Sequence, residues 1–398
     1  DSAMKLSSIG GGVSFNISKI RARGEAIKGV EGRAGGVLPI MKIMEDTFSY
    51  ANQLGQRPGA GAVYLNIFHA DIEEFLDCKK INVDEKVRIK SLSIGIIVPD
   101  KFMELAEKDE ACYLINPHTV MQEYGIFLDE MDMDDMYDEL ITNPNVKKKK
   151  INARHLLVKI AQTQKESGYP YIFFKENANK AHALNGIGKV KFSNLCTEIM
   201  QVSQVSDIEI YGKEDTIRYG ISCNLGSLNI ATVMDNKRIK ETVKTAMRAL
   251  TVVSDVTNIE MVPSIAKANR ELHSVGLGAM NLHGYLAKSF IMYESTEALD
   301  FANTFFMMMN YYSLEASMEI AKERGRTFIG FEKSSYADGT YFDMYLNRDY
   351  MPKTEKIKEL FGDIHIPTIQ DWDNLKALVK EHGIYHSYRL AIAPNQST

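Results

Sequence analysis

Apolar positions along this chain recur with two periods, and the segments carrying them alternate. Short runs dominated by apolar residues read as β-strands: VSFNIS from Val13, AVYLNIF from Ala62, SLSIGIIVP from Ser91, ACYLIN from Ala111, YPYIFF from Tyr169 and YRLAIAP from Tyr388. Between them, PIMKIMEDTFSYANQL, KFMELAEKD, ARHLLVKIAQTQKESG and DWDNLKALVKEHG space their apolar residues three and four apart, as amphipathic helices do. The stretch from Ser295 to Gly325 predicts a long helix, apolar mostly on one side, with Met307, Met308 and Met309 as core packing. Asp71 stands where a helix N-cap is expected for DIEEFLDCKK. GLGAMN, Gly276 to Asn281, reads as a turn before a helix. Two Gly-rich stretches lack periodicity: IRARGEAIKGVEGRAGGV, a flexible basic loop, and GQRPGAGA. The acidic run DEMDMDDMYDEL and the basic run Lys147 to Lys150 read as solvated surface. Strand and helix alternate throughout, which argues an α/β fold with parallel strands.

Composition narrows the class. With 398 residues, 45% hydrophobic and 25% charged, the chain has the make-up of a water-soluble globular protein with a large core. A net charge of −5 offers no electrostatic footprint for nucleic acid. No apolar run reaches membrane-spanning length, and the start lacks a signal-peptide pattern, so no membrane partner is expected. The four cysteines, Cys78, Cys112, Cys196 and Cys223, are too few and scattered for a disulfide framework, and none has metal-finger spacing. No metal site is expected, and a reducing cytoplasm is the natural setting. The chain opens on DSAMKLSS, which reads as mid-helix, and closes in a polar loop, so a fragment of a longer protein is expected.

The candidate chemistry centres on Asn194-Leu195-Cys196-Thr197-Glu198. In an extended segment alternate side chains share a face, so Asn194, Cys196 and Glu198 would stand together. An amide, a thiol and a carboxylate, with Cys223 downstream as a second thiol, suit redox or radical chemistry on a hydroxyl-bearing substrate. The bland alternative is a buried cysteine acting as a small hydrophobe. That is the reading for Cys78 in its helix and Cys112 in its strand.

The strip does not stand alone. SSIGGGVSFNISKIRARGEAIKG, NQLGQRPGAGAVYLNIFHADIEEFLDCKK, NLCTE, SCNLGSLNIA, HSVGLGAMNLHGYLAK and APNQST follow in order. Together they resemble the large, catalytic subunit of a class I ribonucleotide reductase, in wording closest to class Ib. The resemblance implies a ten-stranded α/β barrel of two five-stranded halves, with Cys196 at the tip of a central finger loop. It implies one catalytic domain over residues 1–398, incomplete at both ends. Cys196 would carry the transient thiyl radical, Glu198 would act as base, Asn194 would orient the sugar hydroxyls, and Cys223 would be one of two reducing thiols. The partner thiol, the relay tyrosines and the C-terminal cysteine pair would lie outside this chain, so isolated residues 1–398 should not complete repeated turnovers.

By the same resemblance, Gly11, Gly12, Gln396, Ser397 and Thr398 would meet the substrate phosphates. Asn395 stands where the family usually has Thr. Arg21 and Lys28 on the first Gly-rich loop, with Gln53 and Arg57 on the second, would bind and transmit a dNTP or ATP effector with Mg2+. No covalent cofactor is implied. The radical would come from a dimanganese or diiron small subunit. A homodimer, a ribonucleoside diphosphate substrate and a thioredoxin- or glutaredoxin-like reductant complete the implied set. Leu195 and Thr197 stand where the cobalamin-dependent relatives usually have Pro and Gly. A truncated homologue acting only as a nucleotide-binding module is the alternative of a different class.

Overall fold

The computed structural model describes residues 1–51, 55, 58–209, 212–222 and 224–395. Gln53, Arg57, Cys223, Gln396, Ser397 and Thr398 lie outside the described residues. Contacts gather the chain into two compact units. One comprises Asp1–Ala181 and Val190–Met200, the other His182–Lys189 and Gln201 onward. No described helix is long and apolar enough to cross a membrane.

In the first unit the chain runs α1 (Ser2–Ser8), β1 (Val13–Asn16), α2 (Val37–Tyr50), β2 (Gly61–Asn66), α3 (Ile72–Asp77), β3 (Ser93–Val98) and α4 (Asp100–Glu107). It continues through β4 (Ala111–Ile115), α5 (Pro117–Tyr124), α6 (Met133–Thr142), β5 (Lys148–Asn152), α7 (Ala153–Ser167), β6 (Tyr171–Phe174) and α8 (Lys175–Ala181). Among the described residues, β1, β2, β3 and β6 form one parallel sheet in that order. Every residue of β2 and β3 is buried, which is why both read as unbroken apolar runs: each face of a covered parallel sheet is a core. Val63, Leu65, Ile94 and Ile96 belong to one core, and Ala62, Tyr64, Ile97 and Phe173 to the other.

Three expectations shift here, and a fourth gains detail. The first Gly-rich loop is tied down rather than free. Ile27 and Val30 exchange backbone hydrogen bonds across a tight turn whose central residues, Lys28 and Gly29, are both left-handed (φ 51° and 79°). The buried Glu25 carboxylate accepts from Ala22 N at 2.6 Å and His118 N at 3.2 Å. Asp71 does precede α3, but its carboxylate makes no cap bond there and accepts instead from Arg23 N and Val37 N. The acidic run is no uniform surface: it forms α6, with Met133, Tyr137 and Leu140 buried. The lysine run lies at the surface as expected, with Lys147, Lys149 and Lys150 exposed, and from Lys148 it forms the start of β5, paired antiparallel with β4. Cys78 and Cys112 are buried as expected, and burial pushes both thiols up to about 12.

In the second unit the order is β7 (Leu225–Asn229), α9 (Ile230–Asp235), α10 (Ile239–Val256), α11 (Pro263–Leu272), β8 (Gly276–Met280), α12 (Leu282–Lys288) and α13 (Thr296–Arg324). GLGAM is therefore a strand, β8, parallel to β7, and not a turn. Its glycine serves close approach. The Tyr388–Ala391 segment runs beside β8, with Leu277 N donating to Arg389 O at 2.8 Å and Ala391 N to Leu277 O at 3.1 Å. A Cβ on Gly278 would stand 2.3 Å from Ala391 O. The YRLAIAP segment itself forms a single bridge, at Leu390, rather than the full strand its composition predicts. The long helix α13 also departs from expectation: buried residues run all round it between Phe301 and Ala321, so it is an interior helix and not a one-sided one. Its polar residues serve the interior. Asn310 and Ser313 accept from the buried guanidinium of Arg389, and Ser317 meets His386 Nδ1 at 2.9 Å.

Two predictions follow from this packing. Replacing Gly278 by Ala should lower stability by about 2 kcal/mol or more, since the clash is with backbone. Chemical denaturation of the variant checks this. Burial holds His386 down to about 3, and His69 and His273 down to about 4. An unfolded histidine takes its proton near pH 6.5. Between there and pH 4 the unfolded chain binds protons that the folded chain refuses. Stability should therefore fall on acidification through this window, by about 1.4 kcal/mol per pH unit for each ring. Urea midpoints that stay flat from pH 7 to pH 5 would contradict the buried neutral histidines.

Candidate active site

The candidate strip lies in the segment Val190–Met200, which packs on the sheet face carrying Tyr64 and Phe173. This segment is neither helix nor strand, so its backbone groups must find side-chain partners. Asn179 Oδ1 accepts from Val190 N at 2.9 Å, and its Nδ2 donates to Val190 O at 2.8 Å. Ser14 Oγ, on β1, donates to Ser193 O at 2.7 Å. Ser193 Oγ, fully buried, donates to Ile199 O at 2.8 Å.

The expected two-residue alternation is not what gathers the strip. Residues 195–197 form a turn, in which Thr197 N donates to Asn194 O at 3.3 Å. Thr197 is left-handed, with φ 66°. For a β-branched residue that conformation costs roughly 1–2 kcal/mol. The turn reverses the chain, and Asn194 Oδ1 accepts from both Glu198 N and Ile199 N at 3.1 Å. Asn194 and Glu198 are thus brought into contact, and Cys196 stands exposed at the bend between them. Glu198 Oε2 is buried and has no hydrogen-bond partner among the described residues. An acceptor left open in this way is available to a hydroxyl donor.

Two tyrosines flank the turn. Tyr64 Oη, on β2, donates to Asn194 O at 2.8 Å and lies 2.8 Å from Thr197 Oγ1. Burial pushes its phenol up to about 12, so it keeps its proton at neutral pH. Tyr171 is pushed upward by burial, then by Tyr169, and also by the nearby Cys196. Neither tyrosine was among the residues expected from sequence. The available signal was a phenol inside AVYLNIF, an otherwise apolar buried run, because a buried hydroxyl needs a partner.

The other candidates divide. Gly12 sits against the strip: a Cβ there would come within 2.6 Å of Leu195 Cδ2. Gly11 instead closes α1, its N–H donating to Leu6 O at 2.9 Å. Arg21 is half-buried near His118, whose pKa is lowered by burial and by that charge. Lys28 is exposed at the tip of its hairpin.

Two further features belong elsewhere. Asp132, Asp134 and Glu176 bring carboxylate oxygens within 4.8 Å, but Asp132 is the N-cap of α6 and accepts from Asp134 N. A cavity of about 540 Å³ in the second unit is lined by Arg270 and Arg324, each already paired, with Glu260 and Asp255.

The hydrogen bonds at Asn194 generate a prediction. Asn194→Ala leaves two N–H groups without their acceptor and should cost about 1–2 kcal/mol. Asn194→Asp retains the acceptor and should recover most of that loss. Thermal melts of the two variants distinguish a bonded turn from a passive one.

Against known proteins, the whole chain, residues 1–398, matches the family model described as ribonucleotide reductase, barrel domain. It is 59% identical over 397 residues to the ribonucleoside-diphosphate reductase subunit alpha of Bacillus subtilis (strain 168), covering 100% of this chain and 57% of that protein. The subunit alpha of Mycoplasma pneumoniae is 46% identical over 400 residues, covering 99% of this chain and 55% of the relative. That of Treponema pallidum is 32% identical over 416 residues, covering 100% and 47%. The chain therefore spans about half the length of these curated relatives.

Proposed function

This chain belongs to the ribonucleotide reductase family, whose barrel domain it matches from end to end, and we propose that it is the catalytic core of a subunit reducing ribonucleoside diphosphates to 2′-deoxyribonucleoside diphosphates. One observation carries the reading: a turn closed by Asn194 presents an exposed Cys196 two residues before Glu198, whose buried Oε2 has no hydrogen-bond partner among the described residues. The relatives' common designation as ribonucleoside-diphosphate reductases supports the substrate class.

Each group then has a task. Cys196, as a thiyl radical, takes the hydrogen atom from the ribose 3′ carbon. Sulfur suits this step because an S–H bond is weak enough to exchange hydrogen with a sugar C–H. Glu198 accepts the 3′-hydroxyl proton, and its open Oε2 is the atom for it. Asn194 has its Oδ1 engaged by two backbone N–H groups, so its Nδ2 is the half left to orient a sugar hydroxyl. Two thiols, Cys223 and one supplied from outside this chain, give up two electrons and two protons. They become a disulfide as the 2′ hydroxyl leaves as water, and Cys196 recovers its radical when the hydrogen atom returns to C3′. Gly11 and Gly12, together with Gln396, Ser397 and Thr398, meet the substrate phosphates.

The wider assembly is part of the same reading. The strip is the tip of a finger loop in a ten-stranded barrel, consistent with the parallel strand pairing in each unit. Arg21, Lys28, Gln53 and Arg57 serve a dNTP or ATP effector with Mg2+. A small subunit holding a dimanganese or diiron centre supplies the oxidising equivalent. The enzyme works as a cytoplasmic homodimer and is re-reduced by a thioredoxin- or glutaredoxin-like protein.

In the complete subunit, assayed with its radical-generating partner, Cys196→Ser should lower turnover by at least ~1,000-fold. Calorimetric binding of a ribonucleoside diphosphate should persist in that variant. Sustained turnover by Cys196→Ser would overturn the assignment. Binding without any turnover in the unsubstituted protein would favour a nucleotide-binding module.

A further inference from the structure

The residue that shapes the turn lies outside it. Tyr64 is completely buried in β2, and its register partner on β3 is Gly95. A Cβ at Gly95 would stand 2.4 Å from Tyr64 Cε1, so the strand opposite is cut away to admit the ring. Phe192 packs against the same ring at 5.9 Å between centroids. With the ring held on both sides, the phenolic oxygen has little freedom, and it meets two atoms of one turn. One is Asn194 O, the carbonyl that also accepts from Thr197 N. The other is Thr197 Oγ1, on the residue held left-handed. A threonine does not keep that conformation unless its surroundings impose it.

We infer that Tyr64 is a positioning residue, whose phenol holds Thr197 left-handed and thereby fixes where Cys196 stands relative to Glu198. The phenol's two hydrogen bonds go to the turn itself, to Asn194 O and Thr197 Oγ1, and it acts through them. Tyr171 feels the charge of Cys196 but makes no bond to the backbone of the turn among the described residues. The inference rests on the reading of Cys196 as the reacting thiol, and its test is built to stand apart from that reading.

Two measurements on Tyr64→Phe in the complete protein provide the test. The first is alkylation of Cys196 by iodoacetamide, followed by peptide mass spectrometry, with the buried Cys78 and Cys112 as internal references. Without the phenol the turn relaxes, and the Cys196 rate should rise several-fold while the reference thiols stay unreactive. The second is steady-state reduction with the partner subunit, where kcat should fall about tenfold with KM unchanged, the signature of lost alignment and not of lost binding. Thr197→Asn supplies a residue at ease in the left-handed region, so the double variant should regain most of both quantities. A merely structural tyrosine would lower the melting temperature and leave the Cys196 rate, the kcat and the rescue untouched, and that result overturns the inference. Were the unsubstituted protein to show no reductase activity at all, the alkylation rate and its rescue would still decide the role of Tyr64.

Discussion

A segment that crosses the face of a buried sheet without joining it must hand its backbone hydrogen bonds to side chains. Val190–Met200 is such a segment, and the candidate site depends on how that demand is met. Asn179, Ser14, Tyr64, Ser193 and Asn194 each satisfy a peptide group in it. Three of these side chains stand on helix or strand: Asn179 on α8, Ser14 on β1 and Tyr64 on β2. The segment therefore inherits the rigidity of the sheet without being part of it, which is how a loop can hold reactive groups with the accuracy of regular structure. The arrangement also explains why Asn194 cannot be regarded as a substrate ligand alone: half of its amide is already spent on the chain.

Much of the fold was legible from the spacing of apolar residues. The strands at Gly61–Asn66 and Ser93–Val98 are buried on both faces, and such strands are mostly apolar along their length. What was not legible depended on distant chain. Gly278 resembles a turn residue because glycine usually marks one, yet its role is set by Ala391, over a hundred positions later. Asp71 occupies a capping position, but the loop around Arg23 and Val37 claims its oxygens. The acidic run hid a helix because its charges outnumber Met133, Tyr137 and Leu140, the residues that anchor it.

At the site, the residue types were readable and the geometry was not. Placing Asn194, Cys196 and Glu198 on one side assumed an extended backbone. The chain instead turns back through a left-handed Thr197, a conformation that no propensity scale assigns to threonine. Tyr64 escaped notice for a related reason. Within a run of apolar residues a tyrosine counts as one more hydrophobe, and only its bonds to Asn194 and Thr197 reveal the hydroxyl as the part that matters. The second unit repeats the lesson with Arg389, which is buried with Asn310, Ser313 and Tyr341 as acceptors and with no carboxylate partner among the described residues.

The two-stranded ribbon of β4 and β5 carries a consequence of another kind. Among the described residues, β4 is bridged on its far side to His69, whereas β5 has β4 as its one neighbour. An unpaired strand edge is a template on which another extended chain can add itself. Here that edge reads Lys-Lys-Lys from Lys148, with Lys149 held out to Glu73 and Lys150 exposed. A second copy approaching in register would have to bring its own Lys150 against this one, while Lys148 is held by the carbonyls of Leu140, Asn143 and Val146. Lysines on an exposed edge disfavour such pairing, a matter of colloidal behaviour that involves neither catalysis nor the stability of the folded chain.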